Sequence, residues 1–255
     1  GIEELLIVHR AADGSLRAPP QVVASQRVLR RTTTVFTPLA GLVYSTQNGY
    51  AGYALAVEAG GAAVLAWGSG VDYALRVQVL LSGVVPQSVT ENLHARRYGA
   101  NTAPLGEAVQ VSTLTTIGRL PTFRSFPQAS IDRSGAATVS WTDVGNVLSL
   151  LPLSTSRVYA RRIDADGRLR PRASLGTGAA FEAYAPALTA GDDSQTQAIY
   201  TEGGSLNLKA ILLGSNGQPA GSSAVIGESE RVSGAPAVDG LGNGARVVVW
   251  SNDGV

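Results

Sequence analysis

Along most of the chain, apolar and polar residues alternate in short runs, and each run stops at Gly, Asp, Asn or Pro. That period of two, punctuated by turn residues, predicts short strands joined by tight turns. The runs themselves repeat. Residues 126–141, from Phe126 and Pro127 to Trp141, recur as residues 185–200 and again as residues 235–250, with fourteen residues from Pro127 to Trp141, from Pro186 to Tyr200 and from Pro236 to Trp250. A more degenerate copy with the same spacing runs from Tyr53 to Trp67, with Tyr53 in place of Pro. Each copy reads as a hairpin: a short apolar strand, a Gly, Asp or Asn turn, and a second strand ending on an aromatic.

A second module follows the first. Residues 157–169 match residues 206–219, more loosely residues 92–104, and a fourth copy at residues 5–16. Asp166-Gly167, Asn216-Gly217 and Asp13-Gly14 mark its turns, where positive φ angles are expected. Thr102 stands where the loose copy needs Gly. Gly167 to Tyr200 and Gly217 to Trp250 are both thirty-three residues, and a period near fifty built from four short strands predicts propeller blades. The chain opens with a second hairpin and closes with a first one. Joining the ends gives nineteen residues from Trp250 to Gly14, against seventeen from Tyr200 to Gly217. The expected fold is therefore all-β: one small β-propeller domain over residues 1–255, with about four blades of four-stranded antiparallel sheet. Pairing of the N- and C-terminal hairpins is expected to close the ring and hide the sheet edges. The blades would be residues 232–255 with 1–25, 50–113 with an insertion at 71–90, 126–176 with an insertion at 144–156, and 184–226. Residues 26–49 stay unassigned and leave room for a fifth.

Composition narrows the setting. With 44% hydrophobic residues in a chain of 255, a substantial core is available and disorder is excluded. A net charge of +1 supplies no concentrated basic face, so nucleic acid is not an expected partner. There is no Cys, hence no disulfide, zinc-thiolate site or thiol nucleophile, and the only histidines are His9 and His94. No apolar stretch is long enough to span a bilayer as a helix. The absence of Met reads as the mark of a piece processed from a longer product.

The pattern of Pro, alternating strand, Asp and Gly turn, strand ending in Trp, then Tyr159-Ala160-Arg161-Arg162-Ile163-Asp164-Ala165-Asp166-Gly167, resembles the divergent propeller repeats of bacterial secreted and envelope proteins. The resemblance is strongest over residues 126–255, and Tyr53, Thr102 and Lys209-Ala210-Ile211 depart from it. It implies a bacterial binding or structural domain working outside the cytoplasm: periplasmic, at the cell surface or secreted.

Several residues carry candidate chemistry. Trp67, Trp141, Tyr200 and Trp250 are expected to fill the wedges between blades. In Arg96-Arg97 and Arg161-Arg162, neighbours on one strand face opposite sides of the sheet; one is expected in solvent and the other along a neighbouring blade, paired with a carboxylate. Asp164 and Asp166 resemble the start of a calcium loop but are too few ligands, so a plain turn and no metal site are expected. No nucleophile elbow or phosphate-cradling loop occurs, and no pair among the nineteen acids is singled out for glycoside chemistry. The chain reads as a non-enzyme with no cofactor. The expected function is a protein-binding or scaffolding module in an extracytoplasmic assembly, with a carbohydrate-binding or carbohydrate-cleaving propeller as the alternative. Its docking residues would come from the two apolar insertions: Val77, Val79, Leu80, Leu81, Val84 and Val85 in the first, and Val147, Leu148, Leu150, Leu151 and Leu153 in the second. Exposed apolar loops of this kind mark a partner surface, here another protein or a neighbouring subunit.

Overall fold

The computed structural model describes residues 2–11, 13–27, 30–37, 40–47, 52–69, 87–118, 123–124, 127–144, 155–179, 186–191, 194–202, 207–227, 235–241 and 245–251. Among the described residues the regular elements are all strands, and no helix is long and apolar enough to cross a membrane. The chain begins with an antiparallel hairpin of β1 (Ile2–Ile7) and β2 (Gln21–Arg27), followed by a separate hairpin of β3 (Arg30–Thr37) and β4 (Ala40–Gln47). A four-stranded antiparallel sheet follows, built of β5 (Tyr53–Val57), β6 (Ala63–Ser69), β7 (Gln87–Tyr98) and β8 (Val109–Gly118). The next sheet has the short β9 (Phe123–Arg124) and β10 (Gln128–Ile131) beside β11 (Ala137–Val144), then β12 (Thr155–Ile163) and β13 (Ala173–Ala179). A second four-stranded sheet comprises β14 (Ala187–Ala190), β15 (Thr196–Glu202), β16 (Asn207–Leu213) and β17 (Ala224–Gly227), and a last hairpin joins β18 (Ala237–Gly240) to β19 (Arg246–Val249).

The repeat is physical as well as textual. Tyr53 pairs with Trp67, and the ladders that pair Gln128 with Ser140, Ala187 with Ile199 and Ala237 with Val249 have the same register relative to the closing aromatic. In the second hairpins, the ladder slips at Leu5/Leu6, Leu93/His94, Val158/Tyr159 and Leu208/Lys209, in each case eight residues before the turn position held by Gly14, Thr102, Gly167 or Gly217. Four bulges at one place bend four third strands alike. The turns match too: Asp13, Asn101, Asp166 and Asn216 each accept, through Oδ1, the backbone N–H two residues on, at 2.9–3.0 Å. This side-chain bond copies a backbone turn and explains why Asp or Asn stands there.

Successive sheets stack face on face. Val64, Ala66, Leu93 and Ala95 of the first sheet meet Ile131, Val139, Trp141 and Tyr159 of the second in one buried cluster. Val158, Ala160 and Leu175 of the second meet Ala198, Tyr200, Ile211 and Leu213 of the third. The hairpin β1–β2 packs on the opposite face of the first sheet, where Ile7 with Leu5, Val23 and Ala24 covers Ala63, Leu65, Trp67 and Tyr98. Leu5, Ile7 and Val23 hold the places that Val158, Ala160 and Leu175 hold against the third sheet. The hairpin β18–β19 lies on the far face of the third sheet, with Val238 and Val248 against Ala187, Ile199, Leu208 and Ala210. The array is thus flanked by an outer hairpin at one end and an inner hairpin at the other.

Three features of the structure stand beside the sequence expectations. The N- and C-terminal hairpins form two separate two-stranded sheets, and among the described residues no ladder joins β19 to β1. Each hairpin is held on its own neighbour by the contacts above. Residues 26–49 contribute β3 and β4, which pair only with each other among the described residues and add no four-stranded sheet. Finally, the borders of both insertions are strand. Gln87–Thr90 pair with residues 115–118 and lengthen β7 past the end of β6, and Val144 pairs with Ser156.

Candidate functional site

Arginine side chains on the third strands tie strands together within a sheet and one sheet to the next. Arg162 sits on β12, five residues before the turn glycine Gly167, and its guanidinium donates to Asp132 Oδ2 at 2.6 Å, with both side chains buried. The other oxygen of Asp132 accepts the N–H groups of Ser134 and Ala136, so one carboxylate shapes its own turn and neutralises the arginine. Arg97, the equivalent residue of the first sheet, donates instead to the carbonyl of Gly135 in the next sheet, at 2.9 Å. Burial lowers its pKa, and Asp166 in the next hairpin opposes that shift. The expected carboxylate partner is therefore present for Arg162, while Arg97 caps a turn carbonyl. Arg161, the other member of that pair, is not left in solvent. It is half-buried, and it donates to the carbonyls of Arg170 and Val111, both at 2.7 Å, the latter across the sheet interface. These bonds give the arginine pairs a structural use.

Asp164 and Asp166 do not converge. Asp164 pairs with Arg170 at 2.7 Å, and Asp166 caps its own turn through the N–H of Arg168. No group of three metal-binding side chains occurs among the described residues. His94, at the bulge of β7, stacks on Trp67 with ring centroids 5.7 Å apart, and burial lowers its pKa. His9 follows β1 in another hairpin, so the two histidines stand in separate hairpins.

Three of the four repeat aromatics are core: Trp67 and Trp141 are buried, and Tyr200 is buried with its hydroxyl donating to the carbonyl of Leu175 at 2.7 Å. Trp250 departs from the expectation at 37% exposure, since among the described residues no third strand pairs with β19. Around it a larger apolar surface is open. Tyr53, Leu55 and Val57 on β5 are 66%, 53% and 60% exposed, and Val247 and Val249 on β19 are 48% and 63% exposed. Their positions in the repeat explain this: the equivalents of Leu55, namely Ala129, Leu188 and Val238, each pack on the preceding sheet, while those of Val249, namely Ala66, Ser140 and Ile199, point to the following one. The two rows are therefore the opposite halves of one more sheet interface. They share a rim. Turns of all four first hairpins line a single depression, with Glu58, Asp132, Arg133, Gly191, Asp239 and Leu241 around it.

The expected docking residues Val77, Val79, Leu80, Leu81, Val84, Val85, Val147, Leu148, Leu150, Leu151 and Leu153 lie outside the described residues. The row Tyr53, Leu55, Val57 was not anticipated, although large residues alternating with Ala54 and Ala56 signal a strand with a heavy apolar face. In comparisons with known proteins, no family model and no curated protein matches the chain.

Proposed function

We propose that the chain is a propeller-type module whose sheets are blades, with a fourth blade shared by β18–β19 and β1–β2, and that it works as a non-catalytic protein-docking or scaffolding unit in a bacterial extracytoplasmic assembly. The shared rim of the four first hairpins supports the propeller reading. The observation that carries the function is the open apolar surface of Tyr53, Leu55, Val57, Val247 and Val249, set in a protein whose Arg97, Arg161 and Arg162 are spent on bonds within and between sheets. Leaving such rows in water is unfavourable by about 25 cal/mol per Å² of apolar area, so a protein partner that covers them is stabilised. A photo-reactive residue at Val57 should cross-link a protein in the exported fraction of the source cells, and Leu55→Asp should remove the adduct while the fold is kept. A glycan array should stay blank. Selective glycan binding that survives Leu55→Asp, with no protein adduct, would replace this reading by the carbohydrate one.

A further inference from the structure

The three larger sheets carry the register of a ladder that does not occur among the described residues. In all three larger sheets the closing aromatic of the second strand pairs with the bulge residue of the third: Trp67 with His94, Trp141 with Tyr159 and Tyr200 with Lys209. Two positions further along come Leu65 with Arg96, Val139 with Arg161 and Ala198 with Ile211. Carried onto the hairpins at the two ends, the same positions are Trp250 with Leu6 and Val248 with Val8. Two independent observations agree with that register. First, Arg96–Tyr98, Arg161–Ile163 and Ile211–Leu213 are held as strand by the second strand, their only link to the fourth being one bridge each at Tyr98, Ile163 and Leu213; their equivalents Val8, His9 and Arg10 have no second strand, and β1 stops at Ile7. Second, the faces match. Trp250 leans on Gly227 of the third sheet and Val248 packs on that sheet, so Leu6 and Val8, both exposed, would turn to the same side, while Ile7 and Val249 would share the other.

We propose that a second copy of this chain supplies the missing partner: β19 of one copy pairs with residues 6–10 of the other in this register, reciprocally, completing a four-stranded blade at each seam. The inference rests on the shared-blade reading and names its partner. A second copy fits because it presents both halves of an interface already made between successive sheets, β10 on β5, β14 on β10 and β18 on β14. Within one chain, β1–β2 packs on the first sheet and β18–β19 on the third, and among the described residues no ladder joins the two. Pairing would also bring Val247 and Val249 of one copy over Tyr53, Leu55 and Val57 of the other. A reciprocal exchange closes as a two-fold dimer and leaves neither edge free.

The chain has no Cys, so engineered thiols report cleanly. Val8→Cys in a tagged chain and Val248→Cys in an untagged one, mixed at micromolar concentration and mildly oxidised, should give a mixed covalent dimer, since antiparallel pairs place Cα atoms within disulfide reach. Val8→Cys with Asp239→Cys, one strand away, should not. Circular dichroism before oxidation checks that each variant is folded. The proposal predicts that the double variant Val8→Cys/Val248→Cys yields cross-linked dimer in a concentration-dependent way. A concentration-independent cross-linked monomer would overturn the second copy while keeping the shared blade. Absence of any link in folded variants would overturn the pairing itself, and the photo-cross-linking from Val57 would still judge the docking function separately.

Discussion

Thr102 holds a φ of 63° at the place where Gly14, Gly167 and Gly217 hold 82°, 90° and 75°. A β-branched residue is strained there, and its backbone follows the repeat all the same: Gly99 donates to the carbonyl of Ala103 and Thr102 to that of Gly99, as in the other turns. Thr102→Gly should therefore raise stability by about 1 kcal/mol, less the entropy a glycine returns to the unfolded chain, and urea denaturation would show it as a higher midpoint. A lower midpoint would mean that the Thr102 hydroxyl matters more than its strain. Gly176 poses the opposite problem. A Cβ there would lie 2.6 Å from Cε2 of the buried Tyr200 ring, whose hydroxyl is tied to Leu175. Because that ring has no free direction to move, Gly176→Ala should cost roughly 1–3 kcal/mol, and the smaller side chain in Tyr200→Leu should cancel most of the added penalty in the double variant. At Asp132 charge decides. Asp132→Ala strands the Arg162 guanidinium in the interior and undoes the turn at Ser134, so a loss of about 3–5 kcal/mol is expected in the same denaturation assay.

At the scale of the strand, the third strands of the first and second sheets each carry, at the bulge, a ring that meets the closing aromatic beside it. In the first sheet that side chain is His94, stacked on Trp67, and burial lowers its pKa below 6.5. In the unfolded chain the imidazole regains its ordinary value, so on acidification the unfolded state takes up a proton before the folded state does. The contribution of His94 is then complete above that value and is lost as pH falls through it toward the folded pKa. His94→Phe keeps the stacked ring and removes the titration. Denaturation midpoints of the variant should fall less than those of the parent between about pH 7.5 and about pH 5.5; an equal fall in both would sink the assignment. The elements themselves were legible in the sequence, because the fourteen-residue spacing from Pro to aromatic and the Asp-Gly or Asn-Gly turns are local features that fix strand, turn and register together. The bulges were not, since Leu6, His94, Tyr159 and Lys209 share no residue type and only the ladder marks them. Nor was the link of Arg162 to Asp132 legible, which crosses from a third strand to a first-hairpin turn thirty residues away.

At the scale of the whole molecule, the question is what becomes of the two incomplete ends of the array. The nineteen residues that separate Trp250 from Gly14 across the ends measure chain length, and chain length does not say whether two edges meet; among the described residues no ladder joins them. Trp250 stands at that seam and reports on it. Of the three tryptophans, Trp67 and Trp141 are enclosed between sheets, and Trp250 alone meets solvent. Iodide, a charged quencher that does not enter a packed core, should therefore reach Trp250 and leave the other two emitting. Pairing with a second copy would lay Leu6 beside Trp250, as His94 lies beside Trp67, and close that access. Quenching should accordingly be strong in dilute protein, weaken as concentration rises, and be small at every concentration in Trp250→Phe. Dissociation by Val8→Lys, which sets a charge in the ladder without touching Trp250, should restore it. Strong quenching that does not change across the concentration range in which mass measurements show dimer would mean that the copies associate elsewhere, with the seam still open.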